Sequence, residues 1–215
     1  MNPTENRLKI AILDLYNGVP NQGMRGIREI LNQYGERNEL NMVVDEFEVR
    51  RIAAVPDTSY DIYMATGGPG SPVDSAGSEW ENKYFTLIKK LEDWNASAKK
   101  NKKYAFFICH SFQLMCRHYE LGEVCKRKST SFGVFPVNKW EAGFSEPVFS
   151  GLPEPFFAVD SRDWQVIQPD EKKMGASGAQ LLAIEKERPH IALERAVMAM
   201  RFSKYFIGTQ FHPEA

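Results

Sequence analysis

An apolar run, Tyr104-Ala-Phe-Phe-Ile108, ends at Cys109 and passes at once into a helix-like stretch, Ser111-Phe-Gln-Leu-Met-Cys-Arg-His118. A strand that turns sharply into a helix, with a nucleophilic side chain at the corner, has the geometry of a nucleophile elbow. The corner lifts the thiol above the sheet edge. The unpaired N–H groups and positive dipole end of the helix favour its thiolate form. At the far end of the chain, Tyr205-Phe-Ile-Gly-Thr-Gln210 reads as another strand and delivers His212-Pro-Glu214. A cysteine nucleophile needs a base, and the base needs an orienter. Cys109, His212 and Glu214 supply all three, each just past the end of an expected strand.

The rest of the chain alternates in the same way. Leu8–Leu13, Met42–Phe47 and Asp61–Ala65 read as strands. Gly23–Tyr34, with Ile27, Ile30 and Leu31 on one face, and Glu81–Trp94 read as amphipathic helices. Such alternation predicts an α/β fold, a three-layer, doubly wound, mostly parallel sheet covered by helices on both faces. After Cys125 the pattern changes to short strands at Gly133–Val137, Phe156–Val159, Leu181–Ile184, Val197–Phe202 and Phe206–Thr209, which predict a small antiparallel portion. No repeat or linker interrupts the 215 residues, so one domain spanning 1–215 is expected. The net charge of −1 points to neither nucleic acid nor membrane. No apolar run approaches the ~18–20 residues of a membrane span. The polar start, Met1-Asn-Pro-Thr-Glu-Asn-Arg7, lacks a signal-peptide core. Three cysteines, Cys109, Cys116 and Cys125, fit a reducing compartment, so a cytoplasmic setting is expected.

In open α/β sheets ligands sit beyond the carboxyl ends of the strands. Both Cys109 and the loop Thr66-Gly-Gly-Pro-Gly-Ser-Pro72 fall there. Thiolate attack on a carbonyl builds negative charge on oxygen, and fixed backbone donors stabilise it by roughly 3–4 kcal/mol each. Taken alone, a Gly-Pro cluster of this kind is most often just a turn. It has neither the lysine nor the helix spacing of a P-loop.

Four stretches together resemble the class I (triad) glutamine amidotransferases: Gly67-Gly-Pro-Gly-Ser-Pro72, Ile108-Cys-His-Ser-Phe-Gln113, Ser161-Arg-Asp-Trp-Gln-Val166 and Gln210-Phe-His-Pro-Glu214. The last is the most specific. Phe149-Ser-Gly-Leu-Pro-Glu154 looks most like the GMP-synthase-type amidotransferase domains. The resemblance implies a flavodoxin-like amidotransferase fold and a glutaminase that needs no cofactor and no metal. Cys109 would attack the side-chain amide of glutamine, His212 would act as base and then acid, and Glu214 would orient His212. The N–H groups of Gly68 and His110 would form an oxyanion hole. Gly70, Gln113, Arg162 and Asp163 would hold the substrate, the last two from a loop. Ammonia would pass to a synthase or acceptor subunit. Family members usually continue with a helix packed on the sheet, so a C-terminal helix is expected to be missing after Ala215.

Departures from the family pattern are specific. The usual elbow is Gly-x-Cys-x-Gly-x-Gln, and Phe107 and Ser111 replace its glycines. Phe107 therefore requires neighbours that are small or displaced. His110 replaces an apolar residue; in a related superfamily with an Ile-Cys-His-Gly elbow, the adjacent histidine is the triad base. The usual His-x-Asp-x-Val has become Ser161-Arg-Asp-Trp-Gln-Val166, which keeps the aspartate and loses the histidine. Two alternatives to glutamine hydrolysis follow, a γ-glutamyl hydrolase or cysteine peptidase acting on another amide and a catalytically silent binding domain. Gln113 and Gly70 suit a free amino acid, whereas the altered Asp163 region suits a longer substrate. Cys116 and Cys125 read as small buried hydrophobes, and Cys116 and His118 point different ways on a helix, which argues against a metal site.

Overall fold

The computed structural model describes residues 7–215, so nearly all of the polar start lies outside the described residues. Strands β1 (Leu8–Asp14), β2 (Met42–Glu48), β3 (Ile62–Ala65) and β4 (Tyr104–Ile108) alternate with helices α1 (Gln22–Arg37), α2 (Val49–Ile52), α3 (Glu79–Ala96) and α4 (His110–His118). Then come β5 (Glu123–Lys139), β6 (Phe156–Ile167), α5 (Glu171–Ser177), β7 (Gln180–Glu185), β8 (Val197–Ser203) and β9 (Phe206–Thr209). Among the described residues they form one sheet in the order β2-β1-β3-β4-β9-β8-β7-β5-β6.

The first five strands in that order run parallel, and every pairing from β9 to β6 is antiparallel. The antiparallel part is thus as extensive as the parallel one, larger than the sequence pattern predicts. Its size comes from β5 and β6, strands of 17 and 12 residues. The expected short strands at Gly133–Val137 and Phe156–Val159 are only their most apolar parts. Lys126-Arg-Lys-Ser-Thr130 carries no strand signal of its own; Arg127–Thr130 bulge out between the paired positions Lys126 and Ser131, and the β5–β6 pairing on either side carries the strand through them. The Arg162–Asp163 segment, expected as a loop, lies inside β6.

Side chains alternate between the two helical layers, as a strand period of two requires. Ile12 and Ile108 pack with Met24 and Ile27 of α1 on one face. Leu13 and Phe107 pack with Tyr84, Leu87 and Phe112 of α3 and α4 on the other. Each such side chain, fully buried, is worth roughly 1.5–3 kcal/mol. The Asn21 side chain accepts from Met24 N (2.8 Å) and caps α1. Ile30, expected on the buried face of α1, is half exposed at its flank.

Phe107 is accommodated by the strand beside it. Its register partner on β9 is Gly208, and its ring packs edge-on against Phe202 and Phe206. A Cβ at Gly208 would stand 2.9 Å from the Phe107 carbonyl oxygen and 3.1 Å from the Phe107 Cβ. Bulk lost at one strand position balances bulk gained at its neighbour. Gly208→Ala is therefore expected to lower stability by about 1–3 kcal/mol through overpacking. Urea unfolding checks this, and a variant as stable as the parent would refute the pairing.

Candidate active site

From β1 the chain crosses outward to β2, whereas from β3 it crosses the other way to β4. The carboxyl ends of β1 and β3 therefore bound a topological switch point. A cleft of about 350 Å³ opens there, lined by Tyr16, Gly68, Gly70, Cys109, Asp163 and His212 among others.

Cys109 stands between β4 and α4 with φ 48° and ψ −97°, a conformation that costs an L-residue about 1–3 kcal/mol. Several bonds hold it there. Its N–H donates to Thr209 O (2.7 Å), and its carbonyl accepts from Gln113 N (3.0 Å). The Ser111 hydroxyl, where the resemblance expects glycine, is buried in the corner. It accepts from Ile108 N (2.7 Å) and lies 2.7 Å from Ala65 O, tying the ends of β3 and β4 together. Ser111 supplies by hydrogen bonding the constraint a tight glycine turn supplies by shape.

Strand β9 ends beside β4, and His212 follows it. The His212 N–H donates to Val159 O (2.8 Å), so edge strand β6 curls round to close over the end of β9. Nδ1 of His212 lies 2.8 Å from Glu214 Oε1, and the other ring nitrogen is turned to Cys109. Burial pulls the imidazole pKa down, but the facing Cys109 sulfur and the Glu214 carboxylate outweigh it and push the pKa up to about 11. The proton therefore sits on His212 at neutral pH, opposite the Cys109 sulfur. Glu214 is buried against the backbone of α1. A Cβ at Gly26 would stand 2.1 Å from Glu214 O, and one at Gly23 3.0 Å from Glu214 Oε1.

The structure brings Cys109, His212 and Glu214 together, with Gly68, Gly70, Gln113 and Asp163 on the cleft wall. The His110 N–H is a first-turn donor that α4 cannot pair internally. The His110 side chain points elsewhere. It is buried, and burial with nearby Arg50 and Arg117 lowers its pKa to about 3, so the ring is neutral. His212, not the adjacent His110, faces the thiol. Arg162 touches the cleft, but its guanidinium is turned to Asp160 (2.8 and 2.9 Å), which leaves it no role as an open substrate clamp. Gln113 spends its amide N–H groups on Trp164 O and Gln210 Oε1, both at 3.0 Å. Asp163 accepts from the Thr130 hydroxyl.

Sequence reasoning did not single out Tyr16, Arg50 or Gln210. Arg50 donates to Leu15 O (3.2 Å) and Pro69 O (2.6 Å), clamping the Gly-Pro loop to the end of β1. Gln210 Nε2 lies 3.6 Å from the Cys109 sulfur. Burial first, and then the charges of Glu214 and Cys109, push the Tyr16 phenol pKa up. Its place after β1, at the switch point, was the available signal.

Comparison with known proteins agrees with this geometry. The family model for class I glutamine amidotransferases matches residues 22–215. A search of curated proteins finds no match. Among solved structures the chain is similar to a glutamine amidotransferase from Thermotoga maritima, at 13% identity and TM-score 0.69, covering 97% of this chain and 76% of that one. It is also similar to the glutaminase domain of Trypanosoma brucei CTPS with bound acivicin, at 13% identity and TM-score 0.67, covering 96% and 86%. A third is a Thermoplasma acidophilum protein provisionally assigned as a GMP synthase subunit, at 18% identity and TM-score 0.65, covering 97% and 85%. These identities carry the fold, and the family model spans the site from α1 to Glu214. The chain belongs to the class I glutamine amidotransferase family.

Proposed function

We propose that the chain hydrolyses the side-chain amide of glutamine and delivers the ammonia to an acceptor enzyme. The reading rests on one observation: a strained Cys109 faces His212, and His212 is held by Glu214 at 2.8 Å. The Cys109 thiolate attacks the amide carbon, and the charge forming on oxygen meets the N–H groups of Gly68 and His110. The C–N bond breaks as His212 gives its proton to the leaving nitrogen, so ammonia departs and a thioester remains. Water, deprotonated by His212, cleaves the thioester to glutamate and restores the thiol. Gly70, Gln113 and Asp163 line the space for the amino-acid end. Exposed Phe132, Val134 and Phe157 on the β5–β6 ribbon, beside the cleft, suit an acceptor enzyme's surface.

Glutamate release from glutamine tests the reading, with and without cell extract as a source of partner. Cys109→Ala is expected to abolish release. Absence of release from the parent chain, with Cys109 still readily alkylated, would transfer the triad to another amide. Absence of release with an inert thiol would favour a silent binding domain.

A further inference from the structure

Beyond the cleft, the β5–β6 ribbon walls a second hollow of about 300 Å³, closed on its far side by the segment before β8. We propose that this hollow binds a small phosphate-bearing molecule and that its occupancy is felt at the cleft. The proposal does not depend on the glutaminase reading. Four cationic residues line the hollow, Lys126, Arg127, Lys128 and Arg188, with Glu194 at the rim. Beneath them Glu185 pairs with both Arg127 (3.2 Å) and Arg188 (3.0 Å). Arg162 is balanced by Asp160. Two positive charges are left over, which matches a phosphate dianion and exceeds what one carboxylate neutralises.

The hydrogen bonding points the same way. The Arg127 side chain is 10% exposed and donates to Gln165 Oε1 (2.7 Å) and Glu185 Oε1, yet among the described residues its buried Nε–H finds no acceptor. Nη1 of Arg162, in the same cluster, is buried without one as well. An unmade hydrogen bond from a buried guanidinium is costly, and an anionic oxygen in the hollow relieves it when the Arg127 side chain turns towards it. Burial and the charge of Arg162 hold the Arg127 pKa below its usual value, a strain that an anion reverses. Ile167 and Leu193 give the hollow an apolar wall for the organic body of the ligand.

Glu185 carries the link to the cleft, because Arg127, Arg188 and Arg162 share it. An anion that draws Arg127 and Arg188 away leaves Glu185 to Arg162. Arg162 lies between Ser161, whose carbonyl is 3.8 Å from the Cys109 sulfur, and Asp163 on the cleft wall.

Cys125 also lines the hollow and is partly exposed, so it serves as an internal probe. Iodoacetamide labelling of Cys125 and Cys109, resolved by peptide mass spectrometry, is followed against inorganic phosphate, ribose 5-phosphate, acetate and sodium chloride at matched ionic strength. Both phosphates are expected to slow Cys125 labelling saturably, and acetate and chloride are not. Lys128→Ala/Arg188→Ala, which leaves the buried Arg127 in place, is expected to need about tenfold more phosphate for the same protection. The Cys109 rate is expected to change at the same midpoint. Equal slowing by acetate or chloride, or protection unchanged in the double variant, overturns the site. Protection of Cys125 with the Cys109 rate unmoved overturns the link.

Discussion

Glu214→Gln is expected to cut glutamate release by on the order of 10²–10⁴-fold while leaving the fold intact. Glutamine keeps the shape of the side chain, and its amide oxygen still accepts from Nδ1 of His212; what is lost is the negative charge. With that charge and the facing Cys109 sulfur, His212 has its pKa up at about 11 despite burial. In the variant one of the two groups that raise the pKa is lost, so the pKa falls and the alkaline limb of the pH–rate profile moves to lower pH. The stability consequence has a definite sign. A raised folded pKa stabilises fully below pH about 6.5 and loses that contribution as pH rises towards 11. The parent chain should therefore lose more stability than Glu214→Gln across that window. A pH–rate profile, a histidine NMR titration and urea unfolding at two pH values check the three parts. An unchanged alkaline limb would show that Glu214 does not hold the proton on His212.

Much of the site was legible because it follows from strand ends. Tyr104–Ile108 matches β4 residue for residue, and Phe206–Thr209 matches β9. The neighbouring positions of β4 and β9 in a parallel sheet then carry Cys109 and His212 to the same edge. The antiparallel half was harder to read. β5 takes its extent from cross-strand pairing on either side of a bulge at Arg127–Thr130, and local propensity in Lys126–Thr130, Gly133 and Pro136 argues against a strand. That hid the true setting of Arg162. In a loop its guanidinium could turn to a substrate, but in β6 it shares a face with Asp160, two residues away, and is held there. The elbow departures were visible in the sequence, but their compensation was not. Gly208 makes room for Phe107 from about a hundred residues away, and the bond from Ser111 to Ala65 crosses between strands. Arg50 was unreadable for the same reason, since α2 is four residues long and its partners lie on two other loops.

Gly26→Ala is expected to lower glutamate release by roughly 10²-fold, the cost of misplacing a catalytic group by about 1 Å, while raising intrinsic helix propensity. Glycine inside a helix costs about 1 kcal/mol relative to alanine, so at an open position in α1 this exchange would stabilise. Gly26 is not open. The added methyl would lie 2.1 Å from Glu214 O, a backbone atom that no side-chain rotation can move aside. Either α1 or the His212–Glu214 segment must retreat. The segment is the weaker of the two, being short and held by the 2.8 Å bond from the His212 N–H to Val159 O, whereas α1 is anchored by Met24 and Ile27 in the core. Its retreat carries the Glu214 carboxylate from Nδ1 of His212 and turns the imidazole from Cys109. The variant should therefore keep its helical circular dichroism and lose kcat, with the His212 pKa falling as it does in Glu214→Gln. Combining the two substitutions separates this route from general damage. If Gly26→Ala acts by displacing Glu214, the double variant is little worse than Glu214→Gln alone. Multiplied losses would mean that the methyl harms the site by another path.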